Sequence, residues 1–145
     1  MAYRANPTEP PPEKEEAFAF ESHGEDKSMK SSVVSLRLPS AIVTSLEQTA
    51  SHNRVSVAGA LGWLLRNSLG NFELLRGLQD CSEHCGAKLD ARIPLTTFDP
   101  LTAAATQLRI SISVYIRKLL YHFYVTKQLR YVQSNGHYTL AYRHD

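Results

Sequence analysis

The first regular pattern in the chain is an alternation of apolar and polar residues that begins at Val33. Successive side chains of a strand point to opposite faces, so this period of two indicates a half-buried strand. Pro39 ends the alternation, because proline cannot donate to a strand ladder. The predicted inward residues are Val34, Leu36 and Leu38, and the predicted outward residues are Val33, Ser35 and Arg37.

Two helices are predicted after this strand. Ser40 is a good N-cap residue, and apolar residues follow it at helical spacing until a polar stretch at residues 52 to 54. Ser56 offers a second N-cap, and a longer apolar stripe continues from it to about Gly70. The predicted order is therefore strand, helix, helix.

The same order returns about 55 residues further along the chain. Alternating residues again precede a proline, here Pro94, and a capped apolar stripe again begins at a serine, here Ser111. The predicted inward residues of the second strand are Leu89, Ala91 and Ile93, and its predicted outward residues are Lys88, Asp90 and Arg92. An internal repeat is therefore predicted.

A β-hairpin is predicted after the second repeat. Asn135 and Gly136 lie between two apolar segments, at 129 to 132 and 138 to 142. Both central positions of a type I′ turn need a positive φ, which asparagine and glycine tolerate best.

Charge is distributed unevenly along the chain. Residues 1 to 30 carry seven acidic and four basic side chains together with four prolines, whereas residues 31 to 145 carry seven acidic and twelve basic side chains. The first segment is therefore predicted to be a disordered tail, because it cannot bury enough apolar surface to offset its chain entropy. The basic remainder is suited to a polyanionic partner.

The run from Val34 to Pro39, followed by a capped helix, an Arg-Val-Ser turn and a second helix, resembles the ribbon-helix-helix DNA-binding family. Members of that family pair one strand from each of two subunits and lay the ribbon in the major groove. The resemblance implies a mainly α fold with short β elements, in which one chain forms a tandem ribbon-helix-helix pseudo-dimer. This pseudo-dimer comprises a two-stranded antiparallel ribbon plus four helices. The resemblance covers residues 33 to about 125, so the N-terminal tail and the predicted C-terminal β-hairpin lie outside it. The predicted regions are a tail over 1–30, a tandem domain over 31–128 with repeats 33–70 and 88–125 and linker 71–87, and a hairpin over 129–145.

The resemblance assigns two kinds of DNA contact. Outward ribbon residues read base edges, and the starts of the second helices bind phosphates through free amides and the helix dipole. The predicted base-reading residues are Val33, Ser35, Arg37, Lys88, Asp90 and Arg92. The predicted phosphate-binding residues are Arg54, Ser56, Arg109 and Ser111.

The leading functional hypothesis is a sequence-specific double-stranded DNA-binding protein. The tandem arrangement resembles TraY-type conjugation accessory proteins, which implies a relaxosome-type role at a plasmid or integrative-element transfer origin, with a relaxase or another transfer protein as partner. One alternative is a ribbon-helix-helix transcriptional repressor that regulates its own promoter. Another is an antitoxin-like protein-interaction module.

Enzymatic and metal-dependent functions are not expected. The sequence contains no glycine-rich phosphate loop, nucleophile elbow or paired carboxylates, so no catalytic residue and no cofactor is predicted. Cys81, His84 and Cys85 supply only three candidate ligands, and no second cluster follows them, so no metal site is predicted.

The remaining expectations concern location and assembly. No stretch approaches the roughly 18 apolar residues that a membrane-spanning helix needs, so no membrane partner and a cytoplasmic location are predicted. The chain is expected to be a monomer, because its second repeat occupies the edge that would recruit another subunit, with further assembly possible on DNA.

Overall fold

The structure is a computed structural model that describes residues 30–143, so the predicted tail lies outside the described residues except for Lys30. Each predicted repeat contains one strand and two α-helices, and two further strands follow them. The elements in chain order are β1 (Ser31–Leu38), α1 (Ser40–His52), α2 (Val57–Arg66), a 3-10 helix (Leu69–Leu75), β2 (Ala87–Pro94), α3 (Leu95–Leu108), α4 (Ile112–Leu120), a π-helical turn (Tyr121–Val125), β3 (Leu129–Ser134) and β4 (His137–Tyr142).

Strands β1 and β2 form an antiparallel two-stranded sheet although almost fifty residues separate them. Every second side chain on β1 from Val34 onward is buried, and Ala91 and Ile93 are buried on the same face of β2. The amide of Leu95 donates to the Lys30 carbonyl (2.9 Å) and extends the pairing past Pro94. The predicted facing of both strands is confirmed.

The four α-helices cover the inward face of this sheet. Helix α2 packs against β2 and α4 against β1, so each repeat covers the strand of the other. The strand and two helices of one repeat would leave an apolar face exposed to water. Packing against the strand of the other repeat buries this face. Fully buried core residues include Leu38, Leu46, Leu61, Ile93, Leu101 and Ile116.

The first helix begins differently from the prediction. Pro39 occupies the cap position of α1 without any side-chain cap hydrogen bond, and Ser40 is the first helical residue. Pro94 occupies the same position before α3. The fixed φ of proline, near −60° in both cases, sets the turn from strand to helix, so the prediction of Ser40 as the N-cap is wrong.

The C-terminal strands β3 and β4 form a second, separate antiparallel sheet. The turn between them has φ of 54° at Asn135 and 81° at Gly136, as a type I′ turn requires. Leu129 and Leu140 are fully buried. The side-chain amide of Asn71 also donates, through Nδ2, to the Leu140 carbonyl (2.8 Å), which fixes β4 against the 3-10 helix.

The predicted fold class is wrong. A tandem ribbon-helix-helix pseudo-dimer is one ribbon plus four helices, whereas the described residues contain four α-helices, a 3-10 helix, a π-helical turn and two separate two-stranded sheets. The 3-10 helix lies where a plain linker was expected, and its Leu75 is fully buried. The buried amine of Lys118 donates to the Leu75 carbonyl (3.2 Å) and satisfies this end of the segment. The two repeats therefore do not complete the core alone.

Aromatic packing joins the second sheet to the first core. Trp63 of α2 is only 4% exposed, and the rings of Tyr131 and Tyr138 lie 5.4 and 5.0 Å from its ring. The Tyr131 hydroxyl donates to the Leu64 carbonyl (2.7 Å), and that of Tyr142 donates to the Leu74 carbonyl (2.7 Å). The rings of Tyr131 and Tyr138 are partly buried against Trp63, and the hydroxyls of Tyr131 and Tyr142 are satisfied, so the hairpin covers this part of the core.

The phenol of Tyr115 gives the core a measurable dependence on pH. The side chain is fully buried and its hydroxyl shares a 2.7 Å hydrogen bond with Ser68 Oγ. Burial raises the pKa of Tyr115 to about 12, and the Ser68 hydrogen bond opposes part of that rise. The unfolded chain loses this proton near pH 10 while the folded chain keeps it, so stability falls as the pH rises from about 10 to 12.

We expect Tyr115→Phe to remove this contribution. Between pH 10 and 12 the free energy of unfolding of the wild type should fall more steeply than that of the variant, by up to about 1.4 kcal/mol per pH unit. Urea unfolding of both proteins at pH 8, 10 and 11.5 measures the difference. If the free energies of unfolding of the two proteins changed with pH in parallel, Tyr115 would ionise in the folded state as readily as in the unfolded one.

Among the described residues, none of the helices has the length and apolar character that a membrane span demands.

Candidate nucleic-acid interface

The outward face of the β1–β2 sheet brings together all the predicted base-reading residues, and every one of them is exposed. The antiparallel register arranges them in cross-strand pairs, which the alternation alone did not define. The pairs are Val33 with Arg92, Ser35 with Asp90, and Arg37 with Lys88.

This face has an approximate two-fold arrangement. Ser35 and Asp90 occupy the same position in the two repeats and are paired with each other, so they mark the centre. Arg37 and Arg92 are also equivalent and lie at opposite ends. Because Arg92 pairs with Val33, four residues along β1 from Arg37, the two arginines are about 13 Å apart along the strands.

Both arginines are held by equivalent contacts. Arg37 Nη1 donates to the Gly86 carbonyl (3.3 Å), and Arg92 Nη1 donates to Ser31 Oγ (3.4 Å). Gly86 directly precedes β2 and Ser31 is the first residue of β1, so the two acceptors occupy corresponding places in the two repeats. These hydrogen bonds are long and exposed, so each guanidinium is oriented by a weak contact that a stronger acceptor can replace.

The charge of the face is mainly positive. Arg37, Lys88 and Arg92 carry three positive charges against the one negative charge of Asp90. The Lys88 amine lies 4.0 Å from the Asp90 carboxylate, with both side chains more than half exposed, so this ion pair contributes little in water. Val33, which is 51% exposed, adds an apolar side chain whose exposure to water is unfavourable.

The predicted phosphate-binding residues lie in two equivalent turns. Ser56 Oγ accepts from the Gly59 amide (2.9 Å) and Ser111 Oγ from the Val114 amide (3.1 Å), so both serines are N-caps. Their capping role is confirmed. A cap of this kind satisfies one of the first amides of α2 and α4 and leaves the others directed outward.

The arginine before each cap has an unusual backbone. Arg54 and Arg109 have φ of 59° and 61°, in the left-handed region that glycine normally occupies at the end of a helix. The following amides, of Val55 and Ile110, each donate to a carbonyl of the preceding helix at 3.0 Å. A left-handed conformation costs a non-glycine residue about 1 to 3 kcal/mol, and such positions cluster at functional sites. Sequence reasoning found these arginines but not their conformation.

The described residues contain no cluster of three or more histidine, cysteine or acidic side chains arranged to hold a metal ion. Comparisons of the chain with models of protein families, with curated proteins and with solved structures find no match.

Proposed function

We propose that this protein binds double-stranded DNA by placing the outward face of the β1–β2 sheet in the major groove. The observation that carries the proposal is the exposed face on which Arg37, Lys88 and Arg92 lie together. The major groove is about 12 Å wide and admits a two-stranded ribbon. The proposal depends on this face and not on the fold class that the sequence predicted.

Each side chain of the face matches a feature of base edges. Arginine donates two hydrogen bonds to O6 and N7 of guanine, and Lys88 can reach the same acceptors. Asp90 can accept from cytosine N4, and Val33 can pack against a thymine methyl. Ser35, which donates and accepts, is permissive at the centre.

The spacing of the arginines defines the expected site. They lie about 13 Å apart along the strands, and base pairs are stacked about 3.4 Å apart, so the two guanines should be about four base pairs apart. Val33 and Lys88 occupy equivalent positions but have different chemistry, so the two halves need not be the same. The DNA site should therefore be asymmetric.

Phosphate binding is assigned to the two cap turns. Arg54 and Arg109 stand beside the starts of α2 and α4, where outward amides and the helix dipole favour an anion. Contacts of this kind position a protein on the duplex without reading its sequence.

Arg54→Gln and Arg109→Gln should each weaken binding to every duplex alike. Each change should reduce the slope of log affinity against log salt by about one unit, because one fewer counterion is released. Titration of preferred and random duplexes at several salt concentrations measures both effects. Arg54→Lys and Arg109→Lys are the matched controls and should keep the slope. A change of base preference in the glutamine variants would contradict the assignment to phosphates.

The proposed biological role is that of an accessory factor at the transfer origin of a plasmid or integrative element, in the cytoplasm and beside a relaxase. An asymmetric face supports this role, because a transfer origin needs a directed mark while a simple operator is often symmetric.

Selection of bound sequences from random duplex DNA, followed by footprinting, tests the proposed function. We expect an asymmetric motif with two guanines about four base pairs apart and protection in the major groove. The Arg37→Ala/Arg92→Ala double variant should enrich no motif. Absence of enrichment with the wild-type protein would contradict sequence-specific binding. A palindromic motif would contradict the expected asymmetry of the DNA site.

A further inference from the structure

The loop before β2 brings two thiols to one peptide group. Cys81 and Cys85 are free and partly exposed. Their sulfur atoms lie 3.8 and 3.3 Å from the same acceptor, the carbonyl oxygen of Glu83, and the Glu83 amide donates to Cys81 Sγ (3.3 Å). Burial raises the pKa of the Cys81 thiol, the hydrogen bond from the Glu83 amide opposes part of that rise, and the neighbouring Cys85 adds to it.

This loop is anchored at both ends. The Asp80 carboxylate accepts two hydrogen bonds from Arg117 of α4 (3.0 and 2.8 Å) and one from the Cys81 amide (2.6 Å). At the other end, Gly86 directly follows Cys85, and its carbonyl accepts the hydrogen bond from Arg37. The two thiols therefore lie between a fixed ion pair on α4 and the contact that orients one arginine of the candidate interface.

We propose that Cys81 and Cys85 form a dithiol modification site, which a small-molecule disulfide of the glutathione type oxidises reversibly to a disulfide within the loop. The thiolate of one cysteine attacks the small disulfide, forms a mixed disulfide and releases one small thiol. The second cysteine displaces the other small thiol and forms the Cys81–Cys85 bond. The protein loses two protons and two electrons, and the small disulfide gains them as two thiols.

Disulfide formation fits this loop better than metal binding. The described residues offer no cluster of three metal-ligating side chains, and two thiols alone are fewer than the four ligands of a structural zinc site. His84 lies over Gly86, where a Cβ atom built on the glycine would be 2.7 Å from His84 Nε2. The imidazole therefore packs against the peptide that follows Cys85.

Oxidation should act on one half of the interface only. The disulfide removes both thiol hydrogen bonds to the Glu83 carbonyl and tethers the residue before Gly86, so the acceptor of Arg37 is displaced. Arg92 is oriented by Ser31, at the start of β1, and no cysteine adjoins that contact. This part of the inference rests on the proposed function, because it assigns base reading to Arg37 and Arg92.

The first experiment needs no DNA. The full chain is equilibrated in buffers of reduced and oxidised glutathione, and free thiols and intact mass are measured. We expect loss of both thiols, a mass lower by two hydrogen atoms, and no crosslinked dimer on a non-reducing gel. Nuclear magnetic resonance of the backbone amides should show shifts at Arg37 and Gly86 with Arg92 unchanged. Cys81→Ser and Cys85→Ser should each abolish the shifts.

The second experiment measures binding of reduced and oxidised protein to the selected duplex. We expect the oxidised wild type to bind up to about tenfold more weakly, because the Gly86 carbonyl no longer orients Arg37 towards its base. Binding by Cys85→Ser should not respond to the oxidant. Changing the base pair opposite Arg37 should abolish the difference in affinity between reduced and oxidised protein. Changing the base pair opposite Arg92 should leave that difference unchanged.

The proposed modification site would be contradicted if the oxidised sample kept its free thiols or formed a crosslinked dimer. It would also be contradicted if the protein held one tightly bound zinc ion per chain. An intramolecular disulfide with unchanged Arg37 shifts would overturn its coupling to the interface. Failure of the reduced protein to bind any duplex would overturn the proposed function alone, since the thiol count, mass and amide shifts do not depend on DNA.

Discussion

Trp63→Ala should lower the free energy of unfolding by about 3 to 5 kcal/mol, the range for removing a buried aromatic side chain. Trp63 is almost completely buried between α2 and the second sheet, where Tyr131 and Tyr138 pack on its ring. Because it is the single tryptophan of the chain, unfolding must be followed by far-ultraviolet circular dichroism in urea instead of fluorescence.

Two variants show which contact carries this stability. Tyr131→Phe keeps a ring against Trp63 and removes only the hydroxyl that donates to the Leu64 carbonyl, so we expect a loss of about 1 kcal/mol. Val125→Ala alters an exposed side chain and should change stability by less than about 0.5 kcal/mol. A loss below 1 kcal/mol for Trp63→Ala would mean that the second sheet does not pack on the core.

The strands and their facing were predictable because both properties are local. Alternation of apolar and polar residues fixes which side chains of a strand face the core, and two prolines at equivalent positions fix where the strands end. The hairpin turn was predictable for a similar reason, since Asn135 and Gly136 are the residue types that accept a positive φ.

The architecture was not predictable from the same patterns. Leu69–Leu75 has no long amphipathic period, and it is helical because Leu75 reaches a core built by distant elements and because Lys118 satisfies its carbonyl. The burial of Trp63 likewise depends on tyrosines more than sixty residues away in the chain. Long-range packing of this kind has no signature in a local window.

The candidate interface was also predictable only in part. Alternation assigned the outward residues, but only the register shows that Ser35 faces Asp90 at the centre and that Arg37 and Arg92 lie at opposite ends. The contacts that orient the two arginines, with the Gly86 carbonyl and Ser31 Oγ, come from the partner strand and leave no pattern in the sequence.

Arg37→Ala and Arg92→Ala should each weaken binding to the selected duplex by about 1 to 3 kcal/mol, or roughly fivefold to 150-fold. Each guanidinium is expected to donate to its own guanine, so the two variants should lose preference at different base pairs. The arginines are about 13 Å apart and share no partner, so their effects should add in the double variant. Titrations on the selected duplex and on duplexes altered at either guanine measure these losses.

The altered duplexes separate base reading from simple attraction between charges. On the duplex that lacks the guanine opposite Arg37, Arg37→Ala should weaken binding little further, whereas Arg92→Ala should still cause its full loss of affinity. On the duplex that lacks the guanine opposite Arg92, Arg92→Ala should have little effect and Arg37→Ala its full effect. Arg130→Ala removes one positive charge from an exposed position on the second sheet and serves as the charge control. Equal losses on the selected and random duplexes for Arg37→Ala, Arg92→Ala and Arg130→Ala would contradict base reading, because phosphate attraction alone makes no distinction between sequences.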